Sequence, residues 1–308
     1  MSKWMVVPVV AAAAIAAVAA PGSNTPDHDD DGLPDQWERP HDISSSPGFP
    51  NRASTGVPPG WSPKRTLSDD LRVTKPGAVV EDVLLRDADL IVDAPNVTIR
   101  RVKLQGGQIN TGSPCNEGTL IVDTTLEPPP GQSTVVESEG AISYGGYTAR
   151  RVEIWRRAEG FRVGGKSDGC GPVQIEDSFV KVVDPPGANG LHPDGLQGYG
   201  GSAASVSNTT IDFRKSDGTA PFFVPSGQGN TSANVDRLLV MGGGYSFRLG
   251  VRGAVSGLKV VDDSWDYGPI DVACSALRSW EASIVTITSK YQIARTVRRQ
   301  PCNTEGGA

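Results

Sequence analysis

A histidine and a carboxylate lie two residues apart in the segment Gly190-Leu191-His192-Pro193-Asp194-Gly195-Leu196-Gln197. Histidine is the side chain whose ordinary pKa suits it to accept a proton near neutral pH. We expect Asp194 to orient that imidazole, or to bind a cation that bridges substrate carboxylates. The simpler interpretation is that Asp194 and Gly195 form a turn and that His192 caps it.

An acidic segment near the N-terminus, residues 27–38, has the spacing of a calcium loop. Oxygen ligands fall at loop positions 1, 3, 5, 9 and 12, and Gly32 stands at position 6, where such a loop turns sharply. The predicted ligands of a structural Ca²⁺ are Asp27, Asp29, Asp31, the Leu33 carbonyl, Asp35 and Glu38. The alternative is an acidic, solvated linker. Over this segment alone the chain resembles the calcium loops of thrombospondin type 3 and dockerin-like repeats.

The first residues have the layout of a secretory signal peptide. Lys3 precedes an uncharged apolar run over residues 5–20, and Ala17-Val18-Ala19 supplies small residues for cleavage. The competing interpretation, a membrane anchor, needs about 20 apolar residues, more than this run offers. We therefore expect a secreted protein with a signal peptide over 1–19, the calcium loop and a Pro/Ser/Gly-rich linker over 20–70, and one domain over 71–308.

The composition narrows the choice of partners and of redox state. The chain is mildly acidic, with a formal net charge of −6, and no basic run contains interleaved aromatic residues, which argues against nucleic acid. No later stretch is apolar enough to span a membrane. In an oxidising compartment the four cysteines predict two disulfides, and Cys115–Cys170 with Cys274–Cys302 would join neighbouring segments, although the sequence permits three connectivities.

Two kinds of short β-branched segment alternate from Leu71 onward. The first kind covers residues 97–104, 147–154, 173–180, 235–240 and 255–260. A shorter segment follows each of them, at residues 107–110, 160–163, 195–198, 246–249 and 269–272. Repeated strands that cannot bury an apolar face alone must stack on their neighbours, so this recurrence predicts an all-β parallel solenoid. A two-sheet sandwich is the alternative, but it does not predict two motifs that recur in order.

Strand alternation then divides the shorter segments into an inward and an outward column. The inward column is apolar at every step: Ile109, Ile142, Phe161, Leu196, Phe222, Phe247 and Ile270. The outward column is Asn110, Ser143, Arg162, Gln197, Phe223, Arg248 and Asp271. Arginine suits the carboxylates or sulfates of an extended chain, and Tyr144, Tyr199, Trp265 and Tyr267 lie beside the column as candidates for stacking on sugar rings. The column therefore predicts a groove for an acidic polysaccharide; the alternative is a merely solvated polar face.

The segment His192, Asp194, Gly195, Leu196 and Gln197 resembles the HxDG(I/L)Q motif of the pectate-lyase-like superfamily. That resemblance, with the repeat pattern over residues 71–302, implies a right-handed parallel β-helix and a carbohydrate substrate. The superfamily contains lyases, hydrolases, epimerases and binding proteins, so it does not fix the reaction. The chain lacks the Gly-His-Gly and Arg-Ile-Lys segments of polygalacturonase-type hydrolases, and also the Arg-x-Pro-x-x-Arg segment of the pectate lyases.

Three functions follow from these residues. The first is a polysaccharide lyase, with His192 as base, Arg162 and Arg248 neutralising the uronate carboxylate, Asp194 and Gln197 orienting, and Lys166 as reserve base. The second is a glycoside hydrolase, which needs two carboxyl groups about 5 to 9.5 Å apart. Asp194 and Asp271 are about three steps apart in the column, too far for that pair, so a partner such as Asp212 or Asp263 is required. The third is a monomeric glycan-binding protein without catalysis. A further open question is whether Ca²⁺ also enters the groove.

Overall fold

The computed structural model describes residues 48–112, 116–135, 140–165, 170–184, 193–214 and 216–302. Over these residues the chain is all-β and its strands form two sheets. The predicted signal peptide, the predicted calcium ligands, Cys115, Lys166 and His192 lie outside the described residues. Among the described residues, the structure contains no helix with the length and apolar character that a bilayer crossing needs.

The larger sheet, called the large sheet below, has fourteen strands over the described residues. They are β1 Arg65–Leu67, β3 Val79–Arg86, β5 Thr98–Gln105, β7 Thr119–Val122, β8 Thr125–Glu127, β10 Tyr147–Arg150, β11 Glu153–Arg157, β13 Val173–Glu176, β14 Phe179–Val182, β16 Ala204–Phe213, β18 Ala233–Gly242, β20 Gly253–Val261, β22 Leu277–Ile287 and β23 Ile293–Arg299. β1 lies in the stretch that the sequence assigns to a linker, and it pairs with β3.

The small sheet has nine strands in the same part of the chain. They are β2 Leu71–Val73, β4 Leu90–Val92, β6 Ile109–Asn110, β9 Ile142–Ser143, β12 Phe161–Val163, β15 Asp194–Gly198, β17 Ala220–Val224, β19 Phe247–Leu249 and β21 Asp271–Val272. The chain passes between the two sheets again and again, and each strand of the small sheet pairs in parallel with the next one along the chain. β22 and β23, at the C-terminal end, pair antiparallel.

The core lies between the two sheets because both turn their apolar side chains toward each other. The predicted inward column is confirmed: Ile109, Ile142, Phe161, Leu196, Phe222, Phe247 and Ile270 are all buried and pack in one cluster. Phe222 and Phe247 are register partners, and their rings stack with centroids 4.6 Å apart. Aromatic stacking adds to the energy of burial, so this pair stabilises the contact between β17 and β19.

A ladder of eight residues with positive φ, aligned across neighbouring strands, bends the large sheet. The β-register aligns these residues, and their side chains form ion pairs or hydrogen bonds where the charges permit: Asp82, Arg101, Asp123, Arg151, Asp177, Asn208, Arg237 and Gly257. Arg101 Nε lies 2.7 Å from Asp82 Oδ1, and Arg151 Nε lies 2.9 Å from Asp123 Oδ1. Left-handed backbone is costly for side chains with a Cβ, and these neighbouring contacts offset that cost.

Residues 48–61 lie across the outer face of the large sheet, on the side away from the core. At one end Phe49 packs with Leu239, Met241 and Val285, which alternate along their strands with core residues. At the other end Trp61 Nε1 donates to Asp82 Oδ1 at 3.2 Å. Because this segment crosses many strands, it ties the last strands of the sheet to the first ones.

One of the two predicted disulfides joins described residues. Cys274 and Cys302 are bonded, with their Cα atoms 5.8 Å apart. This bond fixes the C-terminal end of the described chain beside the short 3-10 turn Cys274–Ala276. The predicted Cys115–Cys170 pair includes a residue outside the described part of the chain.

Candidate functional site

From Arg162 to Asp271 the predicted outward column is a continuous row on the small sheet, whereas Ser143 is buried. Arg162 pairs with Gln197, Gln197 with Phe223, Phe223 with Arg248, and Arg248 with Asp271. Asn110 pairs with Ser143 further along the same sheet. The spacing of Asp194 and Asp271 also matches the prediction, because Gln197, on the strand of Asp194, is three pairings from Asp271. Within this row, the two arginines have very different surroundings.

Arg248 lies at the edge of an open cleft and is surrounded by aromatic rings. Its guanidinium carbon is 5.2 Å from the Phe223 ring centroid and 5.7 Å from that of Tyr245. Nε and Nη2 both contact Asp271 Oδ2, at 2.8 and 2.7 Å. The Arg248 side chain is 28% exposed, so a guanidinium held in place by Asp271 and two rings still reaches solvent. Such a fixed cation suits a carboxylate or sulfate ligand.

The cleft beside Arg248 has a volume of about 270 Å³. Its walls combine aromatic, acidic and small residues: Asp217, Gly218, Thr219, Gly244, Tyr245, Arg248, Asp266 and Tyr267. The Tyr245 and Tyr267 rings are 5.9 Å apart, and Tyr267 is 79% exposed. Exposed aromatic rings next to a cation and hydrogen-bonding groups are suited to the apolar faces and polar edges of a sugar. Thr219 N donates to Pro193 O at 3.0 Å, which puts this cleft next to Pro193, the residue before β15.

Arg162, by contrast, is buried. It is 6% exposed and forms an ion pair with Glu159, whose Oε2 lies 3.0 Å from Arg162 Nη2. The Tyr199 ring covers its guanidinium at 4.9 Å. Arg162 therefore has the predicted register but little exposure, because its neighbours cover it, and its role toward a substrate stays a prediction. Tyr199 is partly exposed, as a stacking residue must be, and its contact is with this arginine.

Asp194 is buried at the entrance of β15. Its Oδ1 accepts a hydrogen bond from Ala220 N at 3.1 Å, whereas Oδ2 has no hydrogen-bond partner among the described residues. Burial and the negative charge of Glu159 raise the pKa of Asp194 well above its usual range, against the opposing effects of the Ala220 N–H, Arg248 and Arg162. Asp194 is only 1% exposed, so its neighbours separate it from solvent.

Several other predicted site residues contribute little to this surface. Tyr144 is buried, so its ring is not presented for stacking on a sugar, and Trp265 is partly buried against the core. Asp212 lies on the large sheet, where Lys181, Arg214 and the Tyr291 hydroxyl hold it. It is therefore not the second carboxylate that hydrolysis at Asp194 would need. Lys166 and His192 are outside the described residues.

Four residues of the site were missed from the sequence: Glu159, Asp217, Tyr245 and Asp266. Glu159 and Tyr245 had a readable signal, since each stands three residues before an arginine of the outward column, as Asp194 stands three before Gln197. The bridge between Tyr245 and Gly268 and the pairing of Asp194 with Ala220 continue this second row. Asp217 and Asp266 come from connecting loops, and no repeat marks them.

No metal site can be assigned on the described part of this face. The described residues contain no group of three or more His, Cys, Asp or Glu side chains that would hold a metal ion. The candidate site is the cleft around Arg248, because there a fixed cation reaches solvent beside Phe223, Tyr245, Tyr267 and Asp271. Comparison with protein-family models, curated proteins and solved structures gives no match for this chain.

Proposed function

We propose that this chain is a secreted right-handed parallel β-helix that binds an acidic polysaccharide in the cleft around Arg248 and cleaves it by β-elimination. The alternation of strands between two parallel sheets supports the β-helix, because one small-sheet strand recurs per turn of chain. Parallel crossover connections within a sheet are right-handed in the great majority of proteins, which supports the hand. The resemblance of residues 192–197 to the pectate-lyase-like superfamily and the signal-peptide pattern support the same proposal.

The single observation that carries the function is the cleft itself. A guanidinium fixed by Asp271 lies beside two aromatic rings, and the Tyr245 and Tyr267 rings line the cleft with centroids 5.9 Å apart. A uronate carboxylate bound to Arg248 would lose part of its negative charge, which acidifies the neighbouring C5 proton. A base then removes that proton, its electron pair forms the C4=C5 double bond, and the C4–O glycosidic bond breaks. The leaving oxygen takes a proton from solvent water. His192 is the proposed base, because the cleft adjoins Pro193, the residue that follows it.

A lyase built on these residues differs in one respect from the sequence prediction. In this proposal Arg248, and not the covered Arg162, neutralises the substrate. Arg162, Glu159 and Tyr199 would instead stabilise the wall behind Asp194.

Glycoside hydrolysis is a second candidate because the cleft contains two carboxylates. Asp217 and Asp266 both line it, and both are exposed. A pair of carboxyl groups that flank one glycosidic bond is the requirement of acid–base hydrolysis. In that case Arg248 binds an acidic sugar ring, and the two aspartates perform the chemistry.

The experiment offers a panel of acidic polysaccharides to the purified protein in the presence of calcium. Ultraviolet absorbance reports unsaturated uronate product, and a reducing-end assay reports all bond cleavage. For a lyase we expect absorbance to rise with the parent protein, kcat/KM to fall about 100-fold in Arg248→Gln, as for loss of one fixed donor to developing charge, and activity to be lost in His192→Ala.

Arg72→Gln is the matched control, because Arg72 lies on the same sheet at its far end, paired with Asp93. New reducing ends without a rise in absorbance would indicate hydrolysis and not elimination. In that case we expect Asp217→Asn and Asp266→Asn to abolish the cleavage. Binding without any cleavage would leave a glycan-binding protein and refute the catalytic proposal.

A further inference from the structure

The last strand of the large sheet carries a concentration of positive charge in an acidic chain. β23 reads Ile-Ala-Arg-Thr-Val-Arg-Arg and contains no acidic residue. Arg295, Arg298 and Arg299 are all exposed. Within the described part of the chain, Arg298 contacts Asp262 at 3.5 Å. The formal net charge of the whole chain is −6, so the charge of this strand is opposite in sign to that of the chain.

The strand is also held firmly in place. It pairs with β22 over most of its length, with Arg299 beside Ser283 and Arg295 beside Thr286. Just beyond it, Gln300 N donates to Ala282 O at 3.0 Å, and Trp280 Nε1 donates to Gln300 O at 2.8 Å. The Cys274–Cys302 disulfide follows directly. A backbone fixed in this way loses little entropy on binding, which favours affinity.

We propose that the arginines of β23 form a second binding site, for a linear acidic polysaccharide, at the end of the large sheet. This site is built from residues that the Arg248 cleft does not use, so it does not depend on the proposed catalytic function. Arg295 and Arg298 lie opposite Thr286 and Ile284 of β22, which are two residues apart, so their side chains share one face of the strand. Arg299 lies opposite Ser283, on the other face. The three guanidinium groups therefore flank the edge of the large sheet from both faces, where an extended anionic chain would run along β23. Guanidinium groups bind carboxylates and sulfates in a bidentate manner.

The same residues argue against other anionic partners. β23 has no aromatic side chain on which a nucleic acid base could stack. Its apolar residues Ile293 and Val297 pack against the protein, so it has no apolar face to enter a lipid surface. A second copy of the same strand would bring the arginines against each other. An acidic polysaccharide is the remaining candidate, because cationic side chains alone are enough to bind it.

The test measures the affinity of the full-length protein for heparin and for polygalacturonate at several salt concentrations. We expect the triple variant R295Q/R298Q/R299Q to bind about tenfold more weakly, with a smaller salt dependence, because three exposed ion pairs of modest strength are lost. The variant R295K/R298K/R299K keeps the charge and should retain most of the affinity. R65Q/K75Q/R86Q is the matched control, with the same change in net charge at exposed positions near the other end of the described chain.

Several outcomes would overturn the proposal. An equal loss in the R65Q/K75Q/R86Q control would mean that general charge, not β23, attracts the polymer. Unchanged affinity together with self-association of the glutamine variant would mean that the arginines only protect an open sheet edge, a common role of edge charges. Loss of binding in Arg248→Gln alone would assign the polymer to the cleft. Equal affinity for a DNA oligonucleotide or for anionic vesicles would refute the choice of polymer.

Discussion

Replacing Asp194 by asparagine tests whether its carboxyl group is held in the protonated form. In the folded protein the pKa of Asp194 is raised by burial and by Glu159, whereas in the unfolded chain it returns to an ordinary value of about 3.9. Between these two pKa values the folded state keeps a proton that the unfolded state releases. The stability contributed by this group is therefore complete below a pH of about 3.9 and is lost as pH rises toward the folded pKa.

The magnitude follows from linkage. One extra bound proton in the folded state lowers the free energy of unfolding by about 1.4 kcal/mol for each pH unit. The amide introduced by Asp194→Asn cannot ionise, so this component of the pH slope disappears in the variant. With an m-value of about 3 kcal/mol/M, the urea midpoint of the parent should fall about 0.5 M per pH unit relative to that of the variant. All other titrating groups are common to both proteins and cancel in the difference.

The assay is equilibrium urea unfolding of the parent and of Asp194→Asn, with disulfides intact, at half-unit intervals from about pH 4 to about pH 7, the range above the ordinary carboxyl pKa. A stability difference between the two proteins that is constant with pH reports only how the amide packs. The test is therefore how that stability difference changes with pH. Asp69→Asn, at an exposed position, controls for removal of one carboxylate. Parallel stability curves for parent and Asp194→Asn would refute the reasoning, and a difference that grows in the opposite direction would mean that Asp194 is stabilised as the anion.

Two further predictions concern the fold. Phe247→Ala should lower the free energy of unfolding by about 3 to 5 kcal/mol, because it opens a cavity in the core and removes the stack on Phe222; thermal or urea unfolding measures it, and a loss below about 1 kcal/mol would contradict this packing. Asp82→Asn should cost about 1 to 3 kcal/mol near neutral pH, because Asp82 accepts hydrogen bonds from Arg101 and Trp61 and pairs with Lys64. Although burial opposes it, these partners lower the pKa of Asp82, so its contribution is present above a pH of about 3.9 and is lost as pH falls; a variant whose acid sensitivity below about pH 4 equals that of the parent would contradict this.

Much of the fold was predictable because repetition makes neighbours recognisable. The alignment of short segments placed Phe161, Leu196, Phe222 and Phe247 in one column, and the β-register reproduces that column. The bend in the large sheet was not predicted. Its ladder uses Asp, Arg, Asn and Gly at equivalent positions, so composition gives no constant signal. What these residues share is a positive φ, and that conformation is enforced by pairing with the neighbouring turns.

The sequence predicted which residues of the candidate site share one face of the sheet, but it did not predict which of them are exposed. Alternation along a strand correctly placed Arg162 and Arg248 on one face, since side-chain direction follows from strand geometry. Whether such a side chain meets solvent depends on the loops and corners around it. Glu159 and Tyr199 cover Arg162, whereas the loops that contain Asp217 and Asp266 leave a cleft beside Arg248. Loop conformation is set by distant contacts, and a local pattern does not reveal it.

The sequence by itself determined the all-β class, the apolar column and the order of the residues that face away from it, because a period of two and a repeated motif are properties of the chain alone. Tertiary structure decided which of those residues are accessible. It also raised the pKa of Asp194, paired Arg248 with Asp271, and fixed three arginines along the last strand beside a disulfide. Burial and charge pairing depend on segments that are far apart in the chain, and only the folded arrangement of strands and loops brings them together.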